Sequence, residues 1–397
     1  MIKNKCFAVL LSLVSSVILL CSCDNTKPPE EGTYNVVSGG TSVTVTEESS
    51  PDYNTPSFTF DNMTTQYGYY QLSDSEKEIY NKIVESLSNF EPKIPLDCDA
   101  KTFEKILELI RIEQLSFSQV VDRSIGDFDS DAQKYNVDMQ YRFTSVQIEQ
   151  MNFEVQKKAD EIMQGIKDDM TDYQMLKYFH DYLITNCESS TDDEYADTMY
   201  GTLIRKKALC EGYAKTFSYL CNRAGIPNMI VTGYTGVAHM WNMVQLDGKW
   251  YHVDVTWDNP DSRISEYFPD LILYQYFLTT DDVVENYREI YANLFTPPKA
   301  DDQSMTYFNK ENFAPEDYDD TLQILNKILP NVKGKNKRYM MLKFDSNDMY
   351  FRVYGLLTKP DENGKCVIDY YSAQNQIKIT MTDYYSMDRI ILFVFSY

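Results

Sequence analysis

The chain has 397 residues, 43% of them hydrophobic, and a formal charge of −23. That length predicts two domains, or one domain with extensions, and the apolar share is enough to build a sizeable interior. Acidity on this scale repels phosphate backbones and no basic stripe offsets it, which argues against nucleic acid as a partner.

The first residues read as a leader. Lys3 and Lys5 precede an apolar run from Phe7 to Leu20, broken by Ser12, Ser15 and Ser16 and short for a bilayer span. The run ends in Leu20-Cys21-Ser22-Cys23, which resembles a bacterial lipobox. The resemblance implies a signal peptide over 1–22, cut before Cys23, and lipidation of Cys23 as the new N-terminus. The protein is then expected to be lipid-anchored on the extracytoplasmic face of a cell membrane; an ordinary secretory signal with an incidental Cys is the alternative. Residues 23–65 read as a flexible tether. From Asp24 to about Pro56 they are rich in Pro, Ser, Thr, Glu and Gly and bury too little apolar surface to offset their ordering entropy. A flexible stretch of about 35 residues reaches roughly 30–35 Å.

Of the 8 Cys, Cys6 and Cys21 fall in the expected leader and Cys23 is the expected lipid site, which leaves Cys98, Cys187, Cys210, Cys221 and Cys366, an odd number. Their spacing fits no zinc pattern. A Cys98–Cys187 disulfide is one option that the sequence does not settle.

A helical region is expected over 66–140. Ser73-Asp74-Ser75-Glu76 is a capping box ahead of Ile79, Ile83, Val84 and Leu87, and a second helix carries Phe103, Ile106, Leu107 and Ile110. Alternation at Tyr135, Val137, Met139, Tyr141 and Phe143 predicts a half-buried strand. A long helix is expected over 146–169. Thr171 to Gln174 caps the next, which presents Leu176, Phe179, His180 and Leu183, with His180 read as a core residue.

A polar loop covers 188–197, and a helix begins at or near Cys210 with Tyr213, Phe217 and Leu220 on its apolar face. Gly225 suits its C-terminal cap and Pro227 prevents continuation. Strands are expected over 228–234, 239–246 and 249–256, the last two joined by Asp247-Gly248, a hairpin signal. Beyond residue 297 a helix near 316–329 precedes five strand-like runs, near 338–344, 349–357, 366–372, 377–384 and 389–395. Tyr370, Tyr371, Tyr384 and Tyr385 in these runs are read as half-buried strand aromatics rather than a sugar- or peptide-binding face.

The chemistry concentrates at Cys210. A thiol at a helix start meets unpaired backbone N–H groups and the positive end of the dipole, which favour thiolate, the nucleophilic form. Glu211 opposes this if its charge lies close. A two-residue turn at Asp247-Gly248 sets Leu246 opposite Lys249, Trp241 opposite Asp254 and His239 opposite Thr256. His239 and Asp254 then share a face as diagonal neighbours roughly 7–8 Å apart along the backbone. An imidazole beside a carboxylate, facing a thiol, supplies base, orienter and nucleophile. His252 shares that face and is expected at its rim, and Trp241 and Tyr200 are candidate cleft-lining residues. Cys221 lies about 16 Å along the same helix from Cys210, too far for a resolving thiol.

These residues resemble a known family. Cys210-Glu211-Gly212-Tyr213-Ala214, Gly225-Ile226-Pro227, His239-Met240-Trp241-Asn242 and the run Trp250 to Asp258 look like the bacterial transglutaminase-like superfamily. Met240 stands where Ala is more usual. The resemblance implies an α+β, transglutaminase-like or papain-like core over 141–296; patterning adds a helical N-terminal lead before it and a small β-rich α+β region over 297–397 after it. It implies Cys210, His239 and Asp254 as a catalytic triad acting on amide bonds of peptides or proteins through a thioester, with no metal and no cofactor. Peptidase or amidase action and transglutaminase-type transfer both stay open. So does a catalytically idle surface module that binds an envelope peptide or polysaccharide.

Overall fold

Side-chain caps start the helices that frame the site. In α1 (Asp74–Ser88) Ser73 and Glu76 cap each other, and Asp99 accepts from Thr102 N–H at the head of α2 (Ala100–Glu113). Ile83, Leu87, Phe103, Ile106 and Ile110 are buried between these helices and the first sheet. This is a computed structural model that describes residues 66–129, 134–260, 262–385 and 389–397. All of them fall within one unit, Ser57–Tyr397. Residues 1–65, where the sequence predicts a leader, Cys23 as lipid site and a tether, lie outside the described residues.

The first sheet has strand order β1 (Lys93–Leu96), β3 (Lys134–Tyr141), β2 (Val121–Asp129), with the one-turn helix α3 (Phe117–Val120) leading into β2. Tyr135, Val137 and Met139 alternate inward along β3 as their spacing requires. Next comes α4 (Ser145–Met163), capped by Thr144 and Gln147. The helix expected to run to residue 169 stops at Met163. A Cβ at Gly165 would sit 2.2 Å from Tyr178 Oη, so the chain leaves the helix where α5 (Asp172–Asn186) packs against it.

Within the polar loop, Glu188–Ser189 (β4) pairs in parallel with Lys207–Ala208 (β5), clamping the approach to Cys210. Between them a π-helical turn, Gly201–Arg205, ends at Lys206 with φ +61°. Then α6 (Cys210–Arg223) begins at the thiol itself. It packs on the main sheet, whose strand order is β10 (Glu289–Ile290), β6 (Asn228–Tyr234), β7 (Ala238–Leu246), β8 (Lys249–Val253), β9 (Phe277–Thr279), all antiparallel. Asn242 of β7 fixes the packing by donating to Ala214 O of α6 at 2.9 Å.

Asp247 (φ +49°) and Gly248 (φ +77°) form the expected two-residue turn. Leu246 pairs with Lys249, and the register runs to Asn242 opposite Val253. There the strand stops, earlier than expected. Asp254 turns its side chain back onto Trp257 N–H and caps the short helix α7 (Val255–Asp258), so Thr256 is helical and does not face His239 across the sheet.

After residue 297 the chain forms α8 (Tyr318–Ile328), β11 (Tyr339–Lys343), α9 (Asn347–Thr358), α10 (Val367–Asn375), β12 (Lys378–Tyr385) and β13 (Ile390–Ser396), the strands ordered β11-β13-β12. Two of the five strand-like runs are therefore helices. In 349–357 the buried residues are Tyr350, Val353 and Leu357, a helical spacing behind the Ser346 cap. In 366–372 Cys366 and Asp369 cap each other, and Ile368 is buried. Tyr370 is exposed and donates to Asp361, Tyr371 is half-buried, and the side chains of Tyr384 and Tyr385 lie outside the described residues. No helix among the described residues is long and apolar enough to cross a membrane.

Candidate active site

Cys210 opens α6 half-buried, and the N-cap residue Leu209 makes no side-chain hydrogen bond to the helix. The loop before it is pinned by Leu209 N–H donating to Ala196 O at 2.8 Å. A Cβ at position 212 would meet that same Ala196 carbonyl at 2.3 Å, so glycine is needed at Gly212 for the loop to lie against the helix.

His239 follows the β6–β7 turn and pairs with Gly233. Gly233 is also dictated by packing: the Trp241 ring lies across it, 2.7 Å from where a Cβ would be. His239 is 7% exposed, and its Nε2 lies 2.7 Å from Asp254 Oδ2. It also shares a hydrogen bond with the Cys210 thiol. Burial works against the imidazolium. The Asp254 charge and hydrogen bond, with Cys210 beyond, outweigh it and lift the His239 pKa to about 9. Asp254 is 1% exposed; burial opposes its charge, but His239 and Arg288 hold its pKa below the usual carboxylate value. The structure thus brings Cys210, His239 and Asp254 into one hydrogen-bonded line, in which the carboxylate serves twice, accepting Trp257 N–H at 3.1 Å on Oδ1.

Trp241 and His252 do not line a cleft. They are 1% and 0% exposed and brace His239 from behind. Trp241 stacks on the imidazole at 5.7 Å and 20°, and its Nε1 donates to His252 Nδ1 at 3.0 Å. With Nδ1 accepting, His252 carries its proton on Nε2 and donates it to Asp281 at 2.9 Å. Burial pushes the His252 pKa down, in keeping with that neutral tautomer. The rim expectation failed because His252, on β8, is covered by chain from beyond β9, where Asp281 accepts from its Nε2. Tyr200 heads the π-helical turn and packs edge-on against Tyr195 at 5.4 Å, while the rings flanking His239 are Trp241 and Trp257.

The Glu211 charge is paired within the interior. Its carboxylate is buried and faces away into a charge cluster: Arg111 of α2, Lys215 at 3.0 Å and Ser118 Oγ at 2.6 Å. Burial disfavours the charge on Glu211, yet Arg111 and Lys215 together hold its carboxyl well below the usual range. His180 is fully buried as expected but is not apolar packing: Nδ1 meets Asp181 at 3.1 Å and Nε2 meets Asp258 at 3.2 Å.

One member of the site had no sequence signal. Arg288 is buried with its guanidinium among Tyr276 (4.2 Å), Trp257 (4.5 Å) and Trp241 (5.2 Å), and its Nη2 lies 2.8 Å from Asp254 Oδ2. It stands well past the recognisable motifs, in a stretch with no periodicity that would mark a buried Arg. Cys98, Cys187, Cys210, Cys221 and Cys366 are all free thiols, Cys221 fully buried. No group of three or more His, Cys, Asp or Glu among the described residues is arranged to hold a metal. A cavity of about 380 Å³ opens between Tyr274–Asn286 and Lys343, Asp345 and Arg389, and none of Cys210, His239 or Asp254 lines it.

Residues 156–255 match the Transglutaminase-like superfamily. The chain thus carries a transglutaminase-like core of mixed helix and strand, running from α4 to the Asp254 cap. Kyphoscoliosis peptidase from Homo sapiens is 38% identical over 88 residues, covering 19% of this chain and 13% of that protein. The Mus musculus protein of the same name is 36% identical over 91 residues, with the same shares. The chain therefore spans only a small part of these relatives. Among solved structures, one described as a TGase is 15% identical with a TM-score of 0.25, covering 41% of this chain and 50% of that one. A proposed cysteine protease from Cytophaga hutchinsonii is 18% identical with a TM-score of 0.24, covering 31% and 51%.

Proposed function

We propose that the chain is a thiol enzyme acting on amide bonds of peptides or proteins, with Cys210 as nucleophile, His239 as base and acid, and Asp254 as orienter. The observation that carries this reading is His239 held between the Asp254 carboxylate and the Cys210 thiol, the thiol standing at the start of a helix that no N-cap side chain closes. His239 takes the thiol proton. The sulfur adds to the amide carbonyl carbon, and the oxygen becomes an anion that the backbone N–H of Cys210 faces. As the C–N bond breaks, the imidazolium passes its proton to the leaving amine and a thioester remains. Water, activated by neutral His239, releases the acid and the thiol; a primary amine in place of water gives transfer. The matching relatives are named peptidases, which favours water as the acceptor.

Incubation with a peptide library, with and without a primary amine, tests this. Backbone cleavage supports a peptidase. Ammonia loss with amine gain supports transfer. No turnover by the native chain, or turnover that survives Cys210→Ala, refutes the reading.

We further propose that the enzyme is tethered through a lipid on Cys23 to the extracytoplasmic face of the membrane, where cell-envelope peptides or proteins are its substrates. The lipobox-like Leu20–Cys23 run supports this. Cys23→Ala should move the protein from the detergent phase to the aqueous phase; partition of the unaltered protein into the aqueous phase would sink the idea.

A further inference from the structure

The His239–Asp254 pair has a second cation on it. Arg288 Nη2 lies 2.8 Å from Asp254 Oδ2, the same oxygen that His239 Nε2 approaches at 2.7 Å. The Arg288 side chain has no exposed surface, and its Nε, Nη1 and Nη2 make no hydrogen bond. The contact with Asp254 is thus a bare ion pair, and the other faces of the guanidinium are walled by Trp241, Trp257 and Tyr276. An Arg buried without hydrogen bonds is costly, and an aromatic box with one carboxylate is a weak reason to retain it for stability alone.

The reaction cycle supplies a reason, and here the argument rests on the function proposed above. His239 must alternate between imidazolium and imidazole. In the imidazole state a buried Asp254 with no other cation would be an unpaired charge, and its cost would lock the proton onto His239. A guanidinium never gives up its charge, so it covers Asp254 in both states. We propose that Arg288 is a positioning residue of this site, the permanent counter-ion that keeps Asp254 ionised and in place while His239 releases its proton.

The other charged or titratable groups around the pair are Cys210 from α6, Asp258 at the far end of α7, and His252 with Asp281 behind Trp241. They stay unchanged in the variants below. The chain has 3 His, so NMR can follow each imidazole separately, with assignment by His180→Gln and His252→Gln. In Arg288→Met and Arg288→Gln the His239 titration should move up by about one pH unit, because the cation sharing Oδ2 is gone. Iodoacetate is an anion drawn to the imidazolium, so its high-pH loss of rate at Cys210 should move up with the titration. Arg288→Lys, which keeps the charge, should leave both near the wild-type values.

An unchanged or lowered His239 titration in a folded neutral variant overturns the inference. So does failure of both neutral variants to fold while Arg288→Lys folds, which would make Arg288 a stability element only. If wild-type Cys210 reacts no faster than Cys366 at any pH, the thiol-enzyme reading fails by itself, and the imidazole titration still decides the role of Arg288.

Discussion

His239 and Asp254 stand 15 residues apart in sequence and 2.7 Å apart in space, and a single two-residue turn makes the difference. The turn sets the strand register. Asp254 then leaves the strand to cap α7, which swings its carboxylate back toward the imidazole. The pair is built from backbone geometry first and side-chain chemistry second.

Replacing Asp254 should cost reactivity, and stability as well, because it leaves the buried Arg288 without its carboxylate. In Asp254→Asn the amide no longer compensates an imidazolium, and Arg288 faces a neutral partner. Alkylation of Cys210 by iodoacetamide at pH 7 should be about ten-fold or more faster than that of Cys366 in the native protein, and should fall at least about 100-fold in the variant. Equal rates at Cys210 and Cys366 in the native protein would count against an activated thiol.

The same pair predicts how stability depends on pH. The folded pKa of His239, about 9, is above its unfolded value, so its contribution is full below about pH 6.5 and fades as pH rises toward 9. Asp254 is depressed, so its contribution is full above about pH 4 and fades in acid. Stability should hold a plateau between roughly pH 4 and 6.5 from this pair. The alkaline decline, about 3 kcal/mol at most, should flatten in His239→Gln. Melting temperatures across pH 5 to 10 for the two proteins would show it; parallel curves would refute it.

Glu211→Gln removes the carboxylate that Arg111 and buried Lys215 share. Arg111 then keeps Glu108 at 3.1 Å, while buried Lys215 is left with Arg111 beside it and only Asp197 as an anion acting on it. Chemical denaturation should show a loss of about 3–5 kcal/mol. Pairing it with Lys215→Met should recover part of that loss, whereas strictly additive losses would mean the two charges do not interact.

Gly212→Ala should push the loop at Ala196 away from α6, since the new methyl has a carbonyl at 2.3 Å. A destabilisation of about 1–3 kcal/mol is expected, with slower alkylation of Cys210 because the thiol moves with the loop. Native stability and native alkylation rate together would show that the loop yields freely.

How much of this was legible in the sequence follows contact range. The caps at Ser73, Thr144 and Thr171, the helix start at Cys210 and the Asp247-Gly248 turn are local, and residue types settle them. The register then carried His239 and Asp254 to within one contact. What failed was of two kinds. In 349–357 aromatic and β-branched content suggested a strand, but Tyr350, Val353 and Leu357 recur at helical spacing and the Ser346 cap decided the matter. The burial of His252 and the presence of Arg288 depend on chain that returns after residue 280, and nothing near either residue announces it.

The cluster under Glu211 and the guanidinium beside Asp254 share a consequence for inheritance. Residues 156–255 carry the recognisable signature, yet Arg111 and Ser118 enter from before that stretch and Arg288 and Asp281 from after it. A recombination event that moved only the signature into another gene would carry two buried carboxylates each short of one cation, Glu211 without Arg111 and Asp254 without Arg288. The segment that can travel intact between proteins is longer than the one sequence comparison sees, and its boundaries are drawn by charge.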